Sequence, residues 1–542
     1  MSNAAEKQMN FSFSPQEELT MLRSSNQHYK QENQILQAAV NQLTEQVNCL
    51  KQQLYGTKSE QATLISVPID DDGEKNTPDE PQKPQEQPAP EKAQEKSDQK
   101  KTHKRKLMVR TDKVLEHLII PEEVKQNPNA YRQLPEGMDK CSYRLELVPS
   151  HLELHRYRRP CFTPIDESDS PSSKILCAPA PTGILSGSNI GASLMAHVLH
   201  SKFCLHLPFY RMIQELERMG LSGLDEATVC NWHKAVADAL RPIWKAMHSE
   251  LLDAEVLHVD ETPFRCLRSG KKNGYMWAMS CADSGMNLYY WKDGRSGDVL
   301  DALLREDMKP EGTPYGGTIV SDGYDAYESW IKKLEKNERK PIQQNCWAHV
   351  RRKFVETARC GNAPEWSLAR VKQIAPLYAL ERQLRKIDAP PEKIAAERRE
   401  KSRPLAEAFF EELERKAKDS ENPPLSKLRT AIDYALERKS TLMHWLDNPA
   451  VPMDNNQVER AIRPLTIGRK NCLFIGAPEA GERSAILYTM VEECKRVGVD
   501  PRAWLTEVLR ILPTYRASRG YLDLLPGILP IPDLLKTTPR QL

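Results

Sequence analysis

The sequence predicts a multidomain α+β protein, and three observations carry that expectation. A heptad pattern opens the chain, a run of short β-prone segments occupies its middle, and a long stretch rich in Ala, Leu, Glu, Lys and Arg follows. With 542 residues, 39% of them hydrophobic, the chain can build several cores. Lys plus Arg (77) nearly cancels Asp plus Glu (75), so any nucleic-acid surface must come from local clustering. No apolar run approaches the roughly 20 residues of a membrane-spanning helix. The N-terminus MSNAAEKQMNFSF also lacks the apolar centre of a secretory signal, so a cytoplasmic protein with no membrane partner is expected. Twelve cysteines without a single C-x-x-C suit a reducing compartment.

The heptads lie within 17–58, with Leu19, Asn26, Asn33, Val40, Val47 and Leu54 at a and Leu22, Tyr29, Leu36, Leu43 and Leu50 at d. Asn at a favours two parallel strands in fixed register, so a homodimer or higher oligomer through this coiled coil is expected. Residues 61–106 turn to Pro, Gln, Glu, Lys and Asp, the composition of an extended linker, and end in the basic run KKTHKRK. Alternation in YRLELV and HLELH predicts a small β module over 107–170. Over 171–250 the pattern is helical, and FYRMIQEL, a break at Gly220 to Gly223, then ATVCNWH has the layout of a helix-turn-helix.

The segment 251–360 predicts strands at 256–264, 275–280 and 288–291, a helix at 297–306 and a fourth strand at 318–322. Three strands, a helix and another strand is an RNase H-like order, which makes this the first part of an α/β core. A helical insertion over 361–450 divides it from a second part at 451–500, and a C-terminal element fills 501–542.

Asp260 stands at the predicted end of the first strand, before Pro263, and Asp322 at the end of the fourth. Neighbouring strands would bring these two carboxylates to one end of a sheet. A third acid must come from a helix, and DNNQVERAIRPL offers Glu459 beside the apolar face of Val458, Ala461, Ile462 and Leu465, with Arg460 and Arg463 close by. Three hard oxygen donors suit two Mg²⁺ ions and an in-line phosphoryl displacement. Cys230–His233 and Cys346–His349 form two Cys-x-x-His pairs, which on a helical face read as buried packing before zinc ligands. The glycines of GAPEAGERS imitate a phosphate loop, but Glu482 and Arg483 replace the Lys and Ser or Thr it needs.

The words HVDETPF around Asp260, VSDGYDAY around Asp322, CWAHVRRKF at 346–354 and DNNQVERAIRPLTIGRKNCLFIGAPEAGERSAILYTMVE at 454–492 resemble the insertion sequence 66 (IS-66) transposases, DDE recombinases of mobile bacterial DNA. LYGTKSE after the heptads and AWLTEVL near the C-terminus fit the same family. The resemblance implies that Asp260, Asp322 and Glu459 are the catalytic triad and hold the metal. They would cut at terminal inverted repeats and join the freed 3′-hydroxyl to target DNA. It implies two Mg²⁺ ions, with Mn²⁺ as a substitute. His349, with Arg351, Arg352 and Lys353, would touch DNA beside the scissile phosphate, and Arg460, Arg463, Arg469 and Lys470 would extend that contact. Accessory proteins of the element and a nucleoid-associated location are further implications. Asp454 stays open as a competing third acid, or as a cap of the Glu459 helix. Members usually carry paired Cys-x-x-Cys zinc ligands ahead of the helix-turn-helix; this chain has only isolated Cys141, Cys161 and Cys177, so zinc is not expected. A catalytically silent DNA-binding descendant and an RNase H-like nuclease are the alternative readings.

Overall fold

A computed structural model describes residues 182–530 with short gaps, together with Tyr29, Lys30, Val40 and positions 151–154, 161–162 and 176–177. The expected coiled coil, linker and β module fall outside the described residues, apart from helical backbone at Tyr29, Lys30 and Val40 and, within the expected module, positions 151–154 and 161–162. A two-residue antiparallel ladder pairs Cys161–Phe162 with Leu176–Cys177.

Three helices lead in: α1 (Ala192–Phe203), α2 (Phe209–Arg218) and α3 (Glu226–Leu252). The turn between α2 and α3 needs left-handed backbone at Gly220 (φ 99°) and Gly223 (φ 78°), which glycine adopts without strain. Asp225 starts α3, its carboxylate accepting from the Thr228 N–H at 2.7 Å. The helix then runs for 27 residues, across position 250. Val236, Leu240, Trp244 and Met247 in its later turns are buried in the same core as the sheet, so the second helix of the pair is also a core helix.

Five strands follow: β1 (Val256–Arg265), β2 (Asn273–Cys281), β3 (Asn287–Lys292), β4 (Thr318–Ser321) and β5 (Ile342–Asn345). Their order is β3-β2-β1-β4-β5. β1 pairs antiparallel with β2 and parallel with β4, and β4 pairs parallel with β5. Parallel neighbours need a crossover, and α4 (Gly297–Leu303) and α5 (Asp325–Lys333) lie in those connections.

The first strand does not stop before Pro263. It pairs with β2 through Arg265, whereas β4 pairs only with Val256, Leu257 and His258. The Val259 carbonyl accepts from Asn455 Nδ2 at 3.1 Å and the Arg265 carbonyl from the Ile475 N–H at 2.8 Å, both on the side away from β2. By the alternation of a strand, Pro263 presents its missing N–H to that same side, beyond the end of β4. β5 is a strand that the sequence pattern did not predict, because IQQN is half polar. Gln344 and Asn345 are nevertheless buried, Gln344 accepting from the Trp445 N–H at 2.7 Å and Asn345 from Thr441 Oγ1 at 2.5 Å.

α6 (Trp347–Cys360) leaves β5 directly. The helical stretch then contains α7 (Pro364–Lys386), α8 (Pro391–Glu397), a short π-helical turn, α9 (Arg403–Ala417), α10 (Lys427–Glu437) and α11 (Lys439–Met443). It is anchored on α6 by Trp347 and Phe354 packed against Phe409 and Phe410. Arg398 is buried there, paired with both carboxylate oxygens of Glu381 at 2.8 Å and donating to the carbonyls of Trp445 and Asn448. α12 (Asn456–Asn471), α13 (Pro478–Arg496) and α14 (Pro501–Ile511) complete the chain's helices among the described residues.

Helices cover both sheet faces. Leu257, Val259 and Ile319 share a core with α3, α13 and α14. Val256 and Val320 face α6, while Met276 and Ala278 meet Val458, Ile462 and Leu465 of α12. No described helix is long and apolar enough to cross a membrane.

Candidate active site

Asp260 lies midway along β1, just past the last residue paired with β4. Its Oδ1 accepts from the Glu261 N–H at 2.8 Å. Burial, then the negative fields of Glu261, Asp322 and Glu459, push its carboxyl up to about 8. The sheet and α12 thus bring all three expected acids into one electrostatic neighbourhood.

Asp322 follows β4 in a tight turn, with Oδ1 accepting from the Tyr324 N–H at 2.9 Å. Gly323 (φ 85°) makes the turn possible, and a Cβ there would meet Arg438 Nε at 2.8 Å. The helical stretch grips this turn from outside. Tyr434 donates to the Asp322 carbonyl, and Arg438 donates to the Gly323 carbonyl at 3.1 and 3.2 Å while pairing with Asp325 at 2.9 Å.

Glu261 points its carboxylate at Arg295, 2.7 Å away, and is buried to 4%. Burial holds it up at about 7 although Arg295 pulls it down. The same guanidinium lies 3.8 Å from the Tyr324 ring centroid, so one side chain links β1 to the Asp322 turn.

Asn455 performs the corresponding task for α12. It is fully buried, its Oδ1 facing His258 Nδ1 at 2.9 Å, its Nδ2 on the Val259 carbonyl and its N–H on Cys346 Sγ at 3.1 Å. Burial lowers His258 to about 4, so the ring is neutral and Nδ1 donates. Glu459 then falls in the first turn of α12, where a helix N-terminus favours negative charge. Its neighbours are His349 Nδ1 at 3.7 Å and Arg352 Nη2 at 3.4 Å.

Asp454 takes a different place. Its oxygens accept from the N–H and side-chain amide of Asn456 at 3.1 and 3.0 Å, and burial raises its carboxyl. The capping position of α12 belongs to Asn455, whose side chain is committed to β1 instead.

The expected DNA-contacting residues divide into three groups. Arg352, Arg460, Arg463 and Lys470 are exposed, and 460, 463 and 470 follow one stripe of α12. Lys353 and Arg469 are engaged by the protein: Lys353 Nζ sits 4.4 Å over the Tyr434 ring, and Arg469 donates to Thr262 Oγ1 at 3.2 Å and to the Pro263 carbonyl. Arg351 and His349 are partly buried.

Cys346 immediately precedes α6 and is fully buried. Among the described residues, Cys346, His349 and Glu459 bring together a thiol, an imidazole and a carboxylate able to surround a metal ion. Cys230 and His233 are not part of this group; Cys230 is exposed, and His233 Nδ1 lies 3.0 Å from the Val229 carbonyl. Sequence reasoning missed Glu261, Arg295, Asn455, Tyr434 and Arg438 as builders of the site. Asn455 carried a usable signal, an amide beside the apolar face of a helix that must find partners if buried.

The profile described as Transposase IS66 family matches residues 187–483, a span that holds every residue named above from Cys230 to Lys470. Proteins of Sinorhizobium fredii (strain NBRC 101917 / NGR234) are similar over most of their length. The uncharacterized protein y4jD is 30% identical over 380 residues, 68% of this chain and 71% of its own. The uncharacterized protein y4qI is 29% identical over 413 residues, 74% and 73% of the two chains. With more than half of its length matched, this chain belongs to the IS66 family of transposases.

Proposed function

We propose that this protein is the DNA transposase of a mobile insertion sequence, binding terminal inverted repeats and catalysing metal-dependent strand cleavage and strand transfer. The observation that carries the reading is the raised carboxyl of Asp260, lifted first by burial and then by the fields of Glu261, Asp322 and Glu459. Like charges are gathered there with too little protein cation to offset them, a donor set that fits hard divalent ions. Strand order β3-β2-β1-β4-β5, with β2 alone running antiparallel to the other four, supports an RNase H-like core.

Asp260, Asp322 and Glu459 would hold two Mg²⁺ ions, for which Mn²⁺ is a substitute. When bound, such ions activate an attacking hydroxyl and stabilise the leaving oxygen of an in-line displacement. The chain's own residues do the rest. β1 and the Gly323 turn fix two carboxylates, and α12 brings the third. Arg352, Arg460, Arg463 and Lys470 hold DNA phosphates, with His349 and Arg351 nearer the scissile bond. Lys353 and Arg469 we assign to the frame around Tyr434 and Pro263. End recognition falls to α2 and α3, and pairing of two element ends to the coiled coil.

The experiment is a cleavage and joining assay with duplexes carrying the inverted repeats that flank the gene, in Mg²⁺ and in EDTA. Nicking at the repeat end followed by joining to target DNA is expected. Specific binding without cutting would favour the silent DNA-binding descendant, and cutting without joining the nuclease.

A further inference from the structure

Cys346, His349 and Glu459 bring a thiol sulfur, an imidazole nitrogen and a carboxylate oxygen to within 4.8 Å of one another. His349 Nδ1 and Glu459 Oε1 are buried atoms with no hydrogen-bond partner, and they face each other at 3.7 Å. Buried polar atoms are nearly always paired, so two that converge beside a third donor call for an explanation. Sulfur, nitrogen and oxygen stand about 2.3, 2.0 and 2.1 Å from a tetrahedral zinc ion, which separates neighbouring ligands by roughly 3.3 to 3.6 Å. The observed spacing needs only a small closure to reach that. Asn455 already ties the two sides together, because its N–H rests on Cys346 Sγ and it precedes the helix of Glu459.

We propose that Cys346, His349 and Glu459 form a binding site for a thiophilic divalent ion of the Zn²⁺ class, and that Glu459 is shared between this site and the carboxylates of Asp260 and Asp322. The sharing rests on the reading of Glu459 as third acid. Thiolate and imidazole donors select Zn²⁺ over Mg²⁺. On binding, the Cys346 proton leaves to water as the sulfur–metal bond forms. Arg352 donates to His349 Nε2 at 3.3 Å, which places the ring proton on Nδ1. That proton passes to Nε2 through solvent when Nδ1 takes the ion, and Arg352, itself exposed, turns away. An ion held there withdraws Glu459 from Asp260 and Asp322, so Zn²⁺ opposes Mg²⁺-dependent cleavage.

Co²⁺ is the probe, because a cobalt–thiolate bond has a charge-transfer absorption that oxygen and nitrogen ligands lack. The full chain should take up one Co²⁺ with this band, Zn²⁺ should displace it, and Cys346→Ser should abolish it. Serine keeps an oxygen to accept the N–H groups now on the sulfur and is a good helix cap, so the variant should fold; its melting curve verifies that. No thiolate band, or an equal band in Cys346→Ser, overturns the site. In the cleavage assay, Cys346→Ser should raise the Zn²⁺ concentration for half-inhibition by about tenfold or more. Zn²⁺ that fills the cobalt site yet leaves cleavage untouched overturns the sharing of Glu459. A chain that shows the band but cleaves no DNA in Mg²⁺ sinks the transposase reading and supports the ion site alone.

Discussion

The sheet side and the helix side of the carboxylate cluster are held in opposite ways. On the sheet side, Asp260 and Asp322 each accept a backbone N–H within 2.9 Å, Glu261 pairs with Arg295 at 2.7 Å, and Tyr434 and Arg438 clamp the Gly323 turn. On the helix side, Glu459 meets His349 and Arg352 only at 3.7 and 3.4 Å, and Oε1 has no hydrogen-bond partner. On the proposed reading, the difference separates preset ligands from an adaptable one. Short backbone contacts hold Asp260 and Asp322 in place, as ligands set in advance of an ion or DNA would require. Glu459 keeps freedom to choose a partner, which is also what a shared ligand requires.

The largest expected effect is on cleavage. Asp260→Asn and Asp322→Asn should each lower it on the order of 10³-fold or more, as for groups acting in one unit, with binding to end DNA unchanged. Lengthening and shortening sharpen the contrast. Asp260→Glu should be as inactive as the amide, because β1 leaves its side chain no slack, whereas Glu459→Asp should retain measurable cleavage. Equal losses for the two would erase the distinction between preset and adaptable ligands. Full cleavage by Glu459→Gln together with loss in Asp454→Asn would transfer the third position to Asp454.

The next effect is on stability and has a definite sign. Asp260 and Glu261 have folded values of about 8 and 7, above the ordinary 3.8 and 4.5. A raised carboxyl binds its proton more tightly folded than unfolded. Its stabilising share is therefore complete below the ordinary value and is lost as pH rises through the folded one. Without divalent ions, unfolding free energy should fall between about pH 4.5 and 8 by about 1.4 kcal/mol per pH unit for each group still protonated only in the fold. Asp260→Asn removes one such group, so its urea midpoint should vary less with pH and exceed the wild-type midpoint at the alkaline end. Parallel slopes for the two proteins would mean that the sheet side carries no stored repulsion.

Much of this architecture was legible in the sequence, for reasons that also explain the rest. The β1 to β4 segments announced themselves through apolar, β-branched and aromatic residues. β5 did not, since Gln344 and Asn345 are buried through hydrogen bonds with Trp445 and Thr441, residues about 100 positions away that no local pattern registers. Pro263 misled for a similar reason: a proline ends a central strand, and only the early end of β4 makes that side of β1 an edge. Asp260, Asp322 and Glu459, the proposed ligands, stand in recognisable words of the sequence. The residues that position them, Arg295, Asn455 and Arg438, act across distant parts of the chain and became visible only in three dimensions.

The smallest effect tests the helix side directly. Arg352 is 46% exposed and reaches Glu459 at 3.4 Å, longer than a strong charge-assisted hydrogen bond. An ion pair of that kind contributes roughly 0 to 1 kcal/mol, so Arg352→Ala should leave the urea midpoint almost unmoved. DNA binding should respond more. Losing one phosphate contact should weaken affinity for all sequences alike and reduce the salt slope by about 1. Glu459 would then lack its one hydrogen-bonding cation, yet cleavage at saturating DNA should persist, because its orientation comes from α12 and Asn455 rather than from Arg352. Loss of more than about 2 kcal/mol in Arg352→Ala would exceed what an exposed pair supplies. The guanidinium would then be a fixed strut, and the helix side would be as preset as the sheet it faces.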